Sequence, residues 1–305
     1  MKNNLGVMKI KDLPGIKENI SMAEYTTFKI GGPAKYFFVA KNPKALVQAI
    51  KVAKKNHLPF FIFGGGSNLL VSDRGYKGLV IKIQNSKLKI KNHNSRLETI
   101  YAEAGAILSS VVVFSVKKSL RGLEWAVGIP GTLGAAAYGN VGAFGSTMAE
   151  IIKSVEILDA NNLKISDLSK KECRFGEKNS IFKRNKNLII LSVILELQKG
   201  GKKEIEGKIK KFQFYRKGKQ PLIFPSAGCI FKNPKGFSAG ELIDKCGLKG
   251  KKIDGAQISE KHANFIVNLG GAKAKDVVKL IKIIKQKVKS KFKIELEEEI
   301  QYLGF

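Results

Sequence analysis

The sequence predicts a mixed α/β or α+β protein in two lobes, and two observations lead to this prediction. Short apolar segments with strand character alternate with stretches whose apolar residues recur at helical spacing. A polar break that contains two glycines, Lys199–Lys203, then divides the chain into a long and a short part. With 305 residues and 44% hydrophobic content, the chain is long enough to bury a core in each part.

The long part alternates strands and helices. Residues Lys44–Asn56 follow an Asn-Pro pair and repeat apolar side chains at helical spacing, which predicts a helix. A second, apolar helix is expected at Ile107–Ser119. The predicted strands are Ala34–Ala40, Pro59–Phe63, Leu79–Ile83, Thr99–Ala104, Glu150–Leu158 and Leu188–Gln198.

The short part begins with a predicted helix, Ile205–Arg216, and a loop that contains Cys229. A long stretch, Lys275–Ser290, alternates apolar and basic residues at helical spacing and predicts an amphipathic helix. The other predicted elements are a short helix at Ala239–Cys246 and strands at Asn264–Val267 and Ile294–Leu303.

The composition restricts the function classes. The formal net charge is +30, but only six of the 55 basic residues are Arg, and the lysines are spread along the chain. Because nucleic-acid readout favours Arg, we expect the lysines mainly to solubilise the protein, with an anionic ligand as the alternative. Three cysteines without a CxxC pair predict no disulfide framework and no metal site. No apolar run is long enough to span a bilayer, and the N-terminus lacks a secretory signal, so a cytoplasmic location is expected.

Two glycine-rich loops are the strongest functional signal. In the first, a buried strand runs into Gly64-Gly65-Gly66-Ser67-Asn68-Leu69. Consecutive glycines let backbone N–H groups form a concave donor surface for a diphosphate. The spacing is that of neither a Walker loop nor a dinucleotide-binding fingerprint, and a structural turn is an equally good interpretation.

The second loop lies within Glu124–Ile151, which reads EWAVGIPGTLGAAAYGNVGAFGSTMAEI. The run Gly128-Ile129-Pro130-Gly131-Thr132 combines Pro with flanking glycines and cannot form ordinary helix. Small residues here would let a flat ligand and its phosphates lie against the main chain. Two such loops in one lobe predict a large cofactor that carries a diphosphate.

Five motifs in this order resemble the UDP-N-acetylenolpyruvoylglucosamine reductase (UDP-N-acetylmuramate dehydrogenase) family, in its shorter form without a tyrosine-bearing insertion. The match runs from roughly residue 21 to the C-terminus. The motifs are YTTFKIGGPA (Tyr25–Ala34), FGGGSNLLVSDRGYKGLVI (Phe63–Ile81), GIPGTLGAAAYGNVGAFG (Gly128–Gly145), PSAGCIFKNP (Pro225–Pro234) and GAQISEKHANFIVN (Gly255–Asn268).

The resemblance implies an α+β fold in which an FAD-binding lobe of the vanillyl-alcohol-oxidase (PCMH) type precedes a smaller α/β substrate-binding lobe. The corresponding limits are an N-terminal segment at 1–20, an FAD-binding domain at 21–200 and a substrate-binding domain at 201–305. Non-covalent FAD would be held by Gly64, Gly65, Gly66, Ser67, Asn68, Leu69, Gly128, Ile129, Pro130, Gly131, Thr132, Gly134 and Asn140.

The family's reaction has two halves. NADPH reduces the FAD, and a hydride then passes to the methylene carbon of the enolpyruvyl UDP-sugar, after which a protein acid protonates the neighbouring carbon. Many family members have a serine after Ser-Ala-Gly as this acid, and Cys229 occupies that position. An unperturbed thiol has a pKa of about 8.5, so it is mostly protonated at pH 7. Without the resemblance, a buried structural thiol is the better interpretation.

The resemblance assigns two further catalytic roles. Glu299, in Leu296–Ile300, would support the developing enolate, although spacing alone does not select one glutamate of this acidic run. The family's substrate-gripping arginine aligns without gaps with Lys178, whereas Arg174 is the alternative if the loop bends. Lysine keeps the charge but loses the bidentate geometry of arginine.

The UDP-sugar carries a diphosphate, so basic and amide groups should line its site. The family positions for this role are Arg216, Lys219, Lys232, Asn233, Gln257, His262 and Asn264. We expect this small molecule as the partner, with no nucleic acid and a monomer as the default state. The alternative functions are a flavoprotein oxidase with the same lobe type, and an anion- or nucleic-acid-binding protein without enzymatic activity.

Overall fold

A computed structural model describes residues 8–93 and 97–305. The chain folds as two compact units, and each unit is assembled from separate stretches of sequence. Among the described residues, the first unit contains 8–20, 34–64 and 77–210, and the second contains 21–33, 65–76 and 211–305. Residues 21–33 and 65–76, assigned from the sequence to the FAD-binding domain, thus group with the C-terminal residues. The first seven residues of the predicted N-terminal segment lie outside the described part.

The described residues form these elements. The helices are α1 (Pro43–Lys55), α2 (Leu108–Lys117), α3 (Leu133–Tyr138), α4 (Met148–Ile151), α5 (Ile181–Arg184), α6 (Lys202–Lys219), α7 (Ala239–Lys245) and α8 (Ala274–Phe292). The strands are β1 (Lys17–Ser21), β2 (Pro33–Ala40), β3 (Phe60–Phe63), β4 (Leu69–Val71), β5 (Tyr76–Ile83), β6 (Leu88–His93), β7 (Leu97–Glu103), β8 (Leu120–Arg121), β9 (Gly142–Ala143), β10 (Ser146–Thr147), β11 (Ile152–Asp159), β12 (Ile165–Ser169), β13 (Leu188–Lys199), β14 (Ser226–Cys229), β15 (Lys252–Ile253), β16 (Ala256–Ile258), β17 (Phe265–Asn268) and β18 (Gln301–Leu303).

The first unit contains two larger sheets. One has the strand order β1-β2-β5-β3, and its β3 and β5 are parallel. The other has the order β12-β11-β13-β7-β6, with β8 also paired to β13, and every pair is antiparallel. The long strand β13 lies in the middle of this second sheet, and its side chains are buried along most of its length. Helix α1 begins with Asn42, whose Oδ1 accepts a hydrogen bond from the Ala45 amide at 2.9 Å.

The second unit packs α7 and α8 with an antiparallel sheet of order β14-β17-β16-β15, and β4 pairs with β18 in parallel. Its core joins Phe28 and Leu70 to the apolar face of α8, which includes Leu280 and Ile284. Asp73 accepts hydrogen bonds from the amides of Ala274 and Lys275 at 2.8 and 3.1 Å, so its charge stabilises the first turn of α8. These contacts explain why two N-terminal stretches fold with the C-terminal residues.

Most elements predicted from the sequence are present, with ends that shift by a few residues. Two predictions are wrong in part. Glu150 and Ile151 belong to α4, because Thr147 and Glu150 form a capping box before β11 begins. The predicted strand Ile294–Leu303 is a strand only at β18. In the residues before it, Leu296 and Ile300 are buried four positions apart, and pairing is limited to an isolated bridge between Phe231 and Glu298.

Within residues 8–93 and 97–305, no helix combines the length and the apolar character needed to cross a bilayer.

Candidate active site

The first glycine loop joins β3 to β4, and the two units divide between Gly64 and Gly65. In the second unit, Gly66 has a left-handed φ of 64°, and a Cβ atom there would lie 2.2 Å from the carbonyl oxygen of Tyr25. The carbonyl of Gly66 accepts a hydrogen bond from the Thr27 amide at 3.2 Å. The close approach of the Tyr25–Thr27 main chain therefore requires glycine at position 66. The sequence analysis had explained this glycine by contact with a phosphate.

The second glycine loop is an accessible turn that leads into α3. Gly128 and Gly131 have left-handed φ values of 74° and 114°, which favour glycine at both positions. The Gly131 carbonyl accepts a hydrogen bond from Leu108 N at 3.0 Å, and Thr132 Oγ1 accepts one from Ala135 N at 3.5 Å at the start of α3. The loop is thus fixed at its end by main-chain bonds and by a helix cap.

The two loops meet within the first unit. A Cβ atom at Gly64 would lie 2.1 Å from Thr132 Oγ1, so only glycine permits this approach. Gly134 is similarly confined, because its Cβ would lie 2.6 Å from the Cβ of Ala104. Loop packing therefore requires these two glycines, and their predicted contact with FAD stays a prediction.

Other groups of the loops fit a diphosphate-bearing cofactor. In the described part of the chain, no hydrogen bond uses the N–H groups of Gly65, Gly128 or Gly131. Gly65 and Gly131 are half-buried and Gly128 is exposed. Main-chain donors at accessible glycines are the groups that bind phosphate oxygens in glycine-rich loops. Each loop thus carries main-chain donors that fit the phosphates of FAD, Gly128 and Gly131 in the first unit and Gly65 in the second.

Lys178 lies on a tight turn in the first unit. Gly176 and Asn179 exchange main-chain hydrogen bonds of 3.0 and 3.2 Å, and Lys178 has a left-handed φ of 49°. A lysine in this conformation is uncommon, and such strain is often found at functional positions. Lys178 is half-buried, whereas the alternative Arg174 is exposed. Asn140 Nδ2 donates to the Gly176 carbonyl at 2.8 Å, so the side chain predicted to hold FAD instead contacts this turn.

Cys229 ends β14 in the second unit. It pairs with Phe265 of β17, and the register shifts between Ser226 and Cys229. Gly228 lies in this irregular segment with a φ of 77°, and a Cβ atom there would meet no other atom within 4 Å. The chain beside Cys229 therefore faces open space. Cys229 is half-buried, unlike the wholly buried Cys173.

The main chain of Glu299 lies beside that of Ile230, the residue that follows Cys229, in the second unit. Its amide donates to the carbonyl of Ile230 at 2.7 Å, and its carbonyl accepts a hydrogen bond from Asn68 Nδ2 at 3.0 Å. Three neighbouring carboxylates form ion pairs with lysines: Glu295 with Lys289, Glu297 with Lys232 and Glu298 with Lys285. The main chain of Glu297 is held beside the same strand, through the Lys232 amide, so the choice of Glu299 from the acidic run stays a prediction.

Arg216 is buried and lies within electrostatic range of Cys229. Burial lowers the pKa of the Arg216 guanidinium from its ordinary value, and the charge of a Cys229 thiolate acts in the opposite direction. Because an arginine keeps its proton even after such a shift, a permanent cation is available to the Cys229 sulfur. Arg216 and Cys229 interact within the second unit, which also contains Glu299 and the other predicted substrate-binding residues.

The other predicted substrate residues mostly contact protein groups. Asn264 is buried, and its amide exchanges two hydrogen bonds of 2.8 and 2.9 Å with the main chain of Phe231. Gln257 Nε2 donates to the Gly250 carbonyl at 3.1 Å, and Asn233 Oδ1 accepts from the Ala239 amide at 3.0 Å. These three side chains support loops, whereas Lys219 is exposed at the end of α6 and Lys232 is half-buried.

His262 has the contacts of a structural histidine. Its ring lies 4.9 Å from that of Phe265 in an edge-to-face arrangement, and Nδ1 accepts a hydrogen bond from the Asn264 amide at 3.3 Å. Burial lowers the pKa of His262 from its ordinary value, which favours the neutral ring. Its predicted role in substrate binding stays a prediction.

A cavity of about 520 Å³ in the first unit contains none of the predicted site residues. Its lining is charged with both signs and includes Arg121, Glu124, Glu150, Glu196 and Lys208. Ligand sites are mostly apolar with few charged groups, so this cavity is a poor site for a flat cofactor.

Sequence reasoning missed several supporting contacts. Thr27 Oγ1 donates to the Ser226 carbonyl at 2.7 Å and so holds the start of β14, which ends at Cys229. Ser180 Oγ donates to the Tyr138 carbonyl at 2.6 Å near the Lys178 turn. Thr27 lies in the quoted motif YTTFKIGGPA, but no sequence spacing links it to residue 226.

Comparisons with known proteins agree with this arrangement. The FAD binding domain family model matches residues 34–163, which contain both glycine loops up to Asn140. The model of the C-terminal domain of UDP-N-acetylenolpyruvoylglucosamine reductase matches residues 220–303, which contain Cys229 and Glu299. These matches define the class of protein: it is an FAD-dependent oxidoreductase of the α+β fold class.

Similarity extends over nearly the whole chain. UDP-N-acetylenolpyruvoylglucosamine reductase of Clostridium novyi is 40% identical over 301 residues, covering 99% of this chain and 96% of that protein. The enzyme of Caldanaerobacter subterraneus is 43% identical over 286 residues, 94% of this chain and 93% of that protein. The crystal structure of the Thermus caldophilus enzyme matches with a TM-score of 0.80 at 33% identity, covering 94% of this chain and 99% of that one. The chain belongs to the UDP-N-acetylenolpyruvoylglucosamine reductase family.

Proposed function

We propose that this protein reduces enolpyruvyl-UDP-N-acetylglucosamine to UDP-N-acetylmuramate, with NADPH as the hydride donor, in peptidoglycan precursor synthesis. Support comes from the names of relatives at 40% identity and above, and from a half-buried thiol at the expected position, next to the residue whose carbonyl binds the Glu299 amide. A cytoplasmic location, predicted from the sequence, stays part of this proposal.

Bound FAD would supply the hydride chemistry, by accepting a hydride from NADPH and releasing it to the methylene carbon of the substrate. The residues that would hold it are those of the two glycine loops, through the main-chain donors of Gly65, Gly128 and Gly131. Gly64, Gly66 and Gly134 maintain the loop conformations by allowing close backbone packing.

Cys229 would complete the reduction by donating its thiol proton to the carbon next to the carboxylate. The bond to that carbon forms as the S–H bond breaks, and the electron pair stays on sulfur as a thiolate. Arg216 would stabilise this thiolate, since the two groups interact and the arginine is buried. Solvent then returns the proton to sulfur. The observation that supports this role most directly is the open space beside Gly228 and Cys229.

Two other residues would act on the substrate carboxylate and the enolate derived from it. Lys178 would bind the carboxylate as a point charge, without the two-pronged geometry that arginine provides. Glu299 would support the developing enolate by donating a hydrogen bond to it. The fixed main chain of Glu299 and the constrained turn of Lys178 suit these positional roles.

The experiment that tests the function separates the two half-reactions. NADPH should bleach the yellow protein, and anaerobic addition of enolpyruvyl-UDP-N-acetylglucosamine should restore the oxidised flavin spectrum and yield UDP-N-acetylmuramate. If oxygen restored the oxidised spectrum instead of the UDP-sugar, and the protein oxidised a small alcohol, it would be an oxidase. A correctly folded protein that binds no flavin would contradict the proposal.

A further inference from the structure

The Lys178 turn is tied to the second glycine loop by side chains that the proposed reaction does not use. Asn140 follows α3, is 5% exposed and has a left-handed φ of 42°. Its Nδ2 donates to the Gly176 carbonyl at 2.8 Å, and its Oδ1 accepts from the Ala149 amide at 2.9 Å. One side chain therefore connects the end of α3, the start of α4 and the turn.

A second hydrogen bond reinforces this connection. Ser180 is completely buried, and its Oγ donates to the carbonyl of Tyr138, the last residue of α3, at 2.6 Å. On the other side of the turn, Lys183 Nζ donates to the Lys178 carbonyl at 2.8 Å. The main chain on both sides of Lys178 is thus held by neighbouring residues of the first unit.

The conformation of Lys178 makes such support necessary. A lysine with a φ of 49° is strained relative to glycine or asparagine, and strained conformations persist only when surrounding contacts fix them. Lysine carries its charge on a flexible stem, so a fixed main chain removes one source of freedom in how the amine is presented.

We propose that Asn140 is a positioning residue for Lys178, assisted by Ser180, rather than a direct ligand of the cofactor. This inference rests on the proposed function, in which Lys178 binds the substrate carboxylate. Asn140 sets the direction in which the amine is presented, and it does so through the Gly176 carbonyl.

Two substitutions separate this role from simple destabilisation. Asn140→Gly removes the side chain but accepts the left-handed φ, and Asn140→Asp keeps the acceptor for Ala149 while losing the donor to Gly176. Ser180→Ala tests the second bond if the Asn140 variants do not fold. Asn42→Ala is the matched control, because it also removes an asparagine contact with a main-chain amide, at the start of α1.

We expect each Asn140 variant to slow reoxidation of reduced flavin by the enolpyruvyl substrate about 10- to 100-fold, as small misplacements of positioning groups do. Reduction of the flavin by NADPH and the oxidised flavin spectrum should be unchanged. The Kd of UDP-N-acetylmuramate for the oxidised protein, measured by calorimetry, should rise at least about threefold, because the product has the same carboxylate. Asn42→Ala should change none of these.

A comparison of single and double variants tests whether Asn140 acts on the reaction through Lys178. If Asn140 acts through Lys178, Asn140→Gly should add less than about twofold when Lys178 is already Ala, since coupled residues are non-additive. Fully multiplicative losses would overturn the inference. So would a changed flavin spectrum or a slower NADPH half-reaction in the Asn140 variants, because either would make Asn140 a cofactor ligand. Failure of the wild-type protein to transfer hydride to the substrate would refute the proposed function itself, a distinguishable result.

Discussion

Cys173 and Cys229 are the same residue type in two different environments. Cys173 is wholly buried, and its amide and carbonyl take part in main-chain hydrogen bonds with Ser169 and Ile181. Burial, with a smaller contribution from Glu172, raises the pKa of Cys173 to about 12. Cys229 is half-buried on an irregular strand, with open space beside Gly228 and a buried arginine within electrostatic range. The comparison teaches that exposure and neighbouring charge, rather than the thiol itself, decide which cysteine can transfer a proton.

The largest expected effect is the loss of the proton donor. Cys229→Ala should slow the enolpyruvyl half-reaction by about 10²- to 10⁴-fold, as is typical when a general acid is removed. Cys173→Ala should leave both half-reactions unchanged. Stopped-flow measurement of flavin reduction and reoxidation in each variant checks this contrast. Equal losses in both half-reactions of Cys229→Ala would show that the residue supports folding or flavin binding instead.

Glu299 is expected to contribute somewhat less. Glu299→Gln should reduce the rate of the enolpyruvyl half-reaction by about 10²- to 10³-fold, comparable to removing one donor that stabilises a developing anion. Glu295→Gln is the matched control, because Glu295 is exposed and paired with Lys289 at the surface. Single-turnover kinetics with both variants compare the two positions. A similar loss in Glu295→Gln would mean that the acidic run acts by its total charge.

The choice between Lys178 and Arg174 predicts a smaller change. Lys178→Arg should keep the enolpyruvyl half-reaction within about threefold or increase it, because arginine can bind a carboxylate through two parallel hydrogen bonds. Arg174→Lys should have no effect, since Arg174 is exposed. Steady-state kcat and KM for the UDP-sugar check both variants. A large rise in KM only in Arg174→Lys would transfer the role to Arg174.

The smallest effect concerns stability at alkaline pH. The pKa of Cys173 is raised on folding, so between its ordinary value of 9.0 and about 12 the unfolded thiol loses a proton that the folded thiol keeps. Stability is therefore fully present below pH 9 and falls as the pH rises towards 12. At pH 10 the loss should be about 1 kcal/mol. Urea unfolding at pH 8 and pH 10 should show this extra loss in wild-type protein and not in Cys173→Ala. Parallel losses in both proteins would attribute the effect to other groups.

The sequence predicted most of the fold because periodicity is a local property. The helical spacing in Lys275–Ser290 and the apolar run at Leu188–Gln198 correspond to α8 and β13, with ends shifted by one or two residues. It failed at Ile294–Ile300, where strand pairing in the described residues is limited to an isolated bridge between Phe231 and Glu298. It also did not reveal that residues 21–33 and 65–76 fold with the C-terminal residues, because that grouping depends on contacts such as those of Asp73 with α8.

The candidate site was likewise predictable from the sequence only in part. Motif order led to the family and to Cys229 and Glu299, and the comparisons confirm the family. The roles predicted for Gly64, Gly66 and Asn264 stay predictions. The motifs did not reveal that these residues also contact protein atoms elsewhere in the chain. Local sequence encodes which chemical groups are available, but not which of them are occupied by other parts of the protein.

By itself, then, the sequence determined the family and the flavin class, since these depend on residue order and short-range pattern. Only the tertiary structure decided that Arg216 lies near Cys229, that Asn140 contacts the Lys178 turn and that Cys173 is wholly buried. The physical reason is that burial, electrostatic range and hydrogen-bond partners are set by residues far apart in the chain.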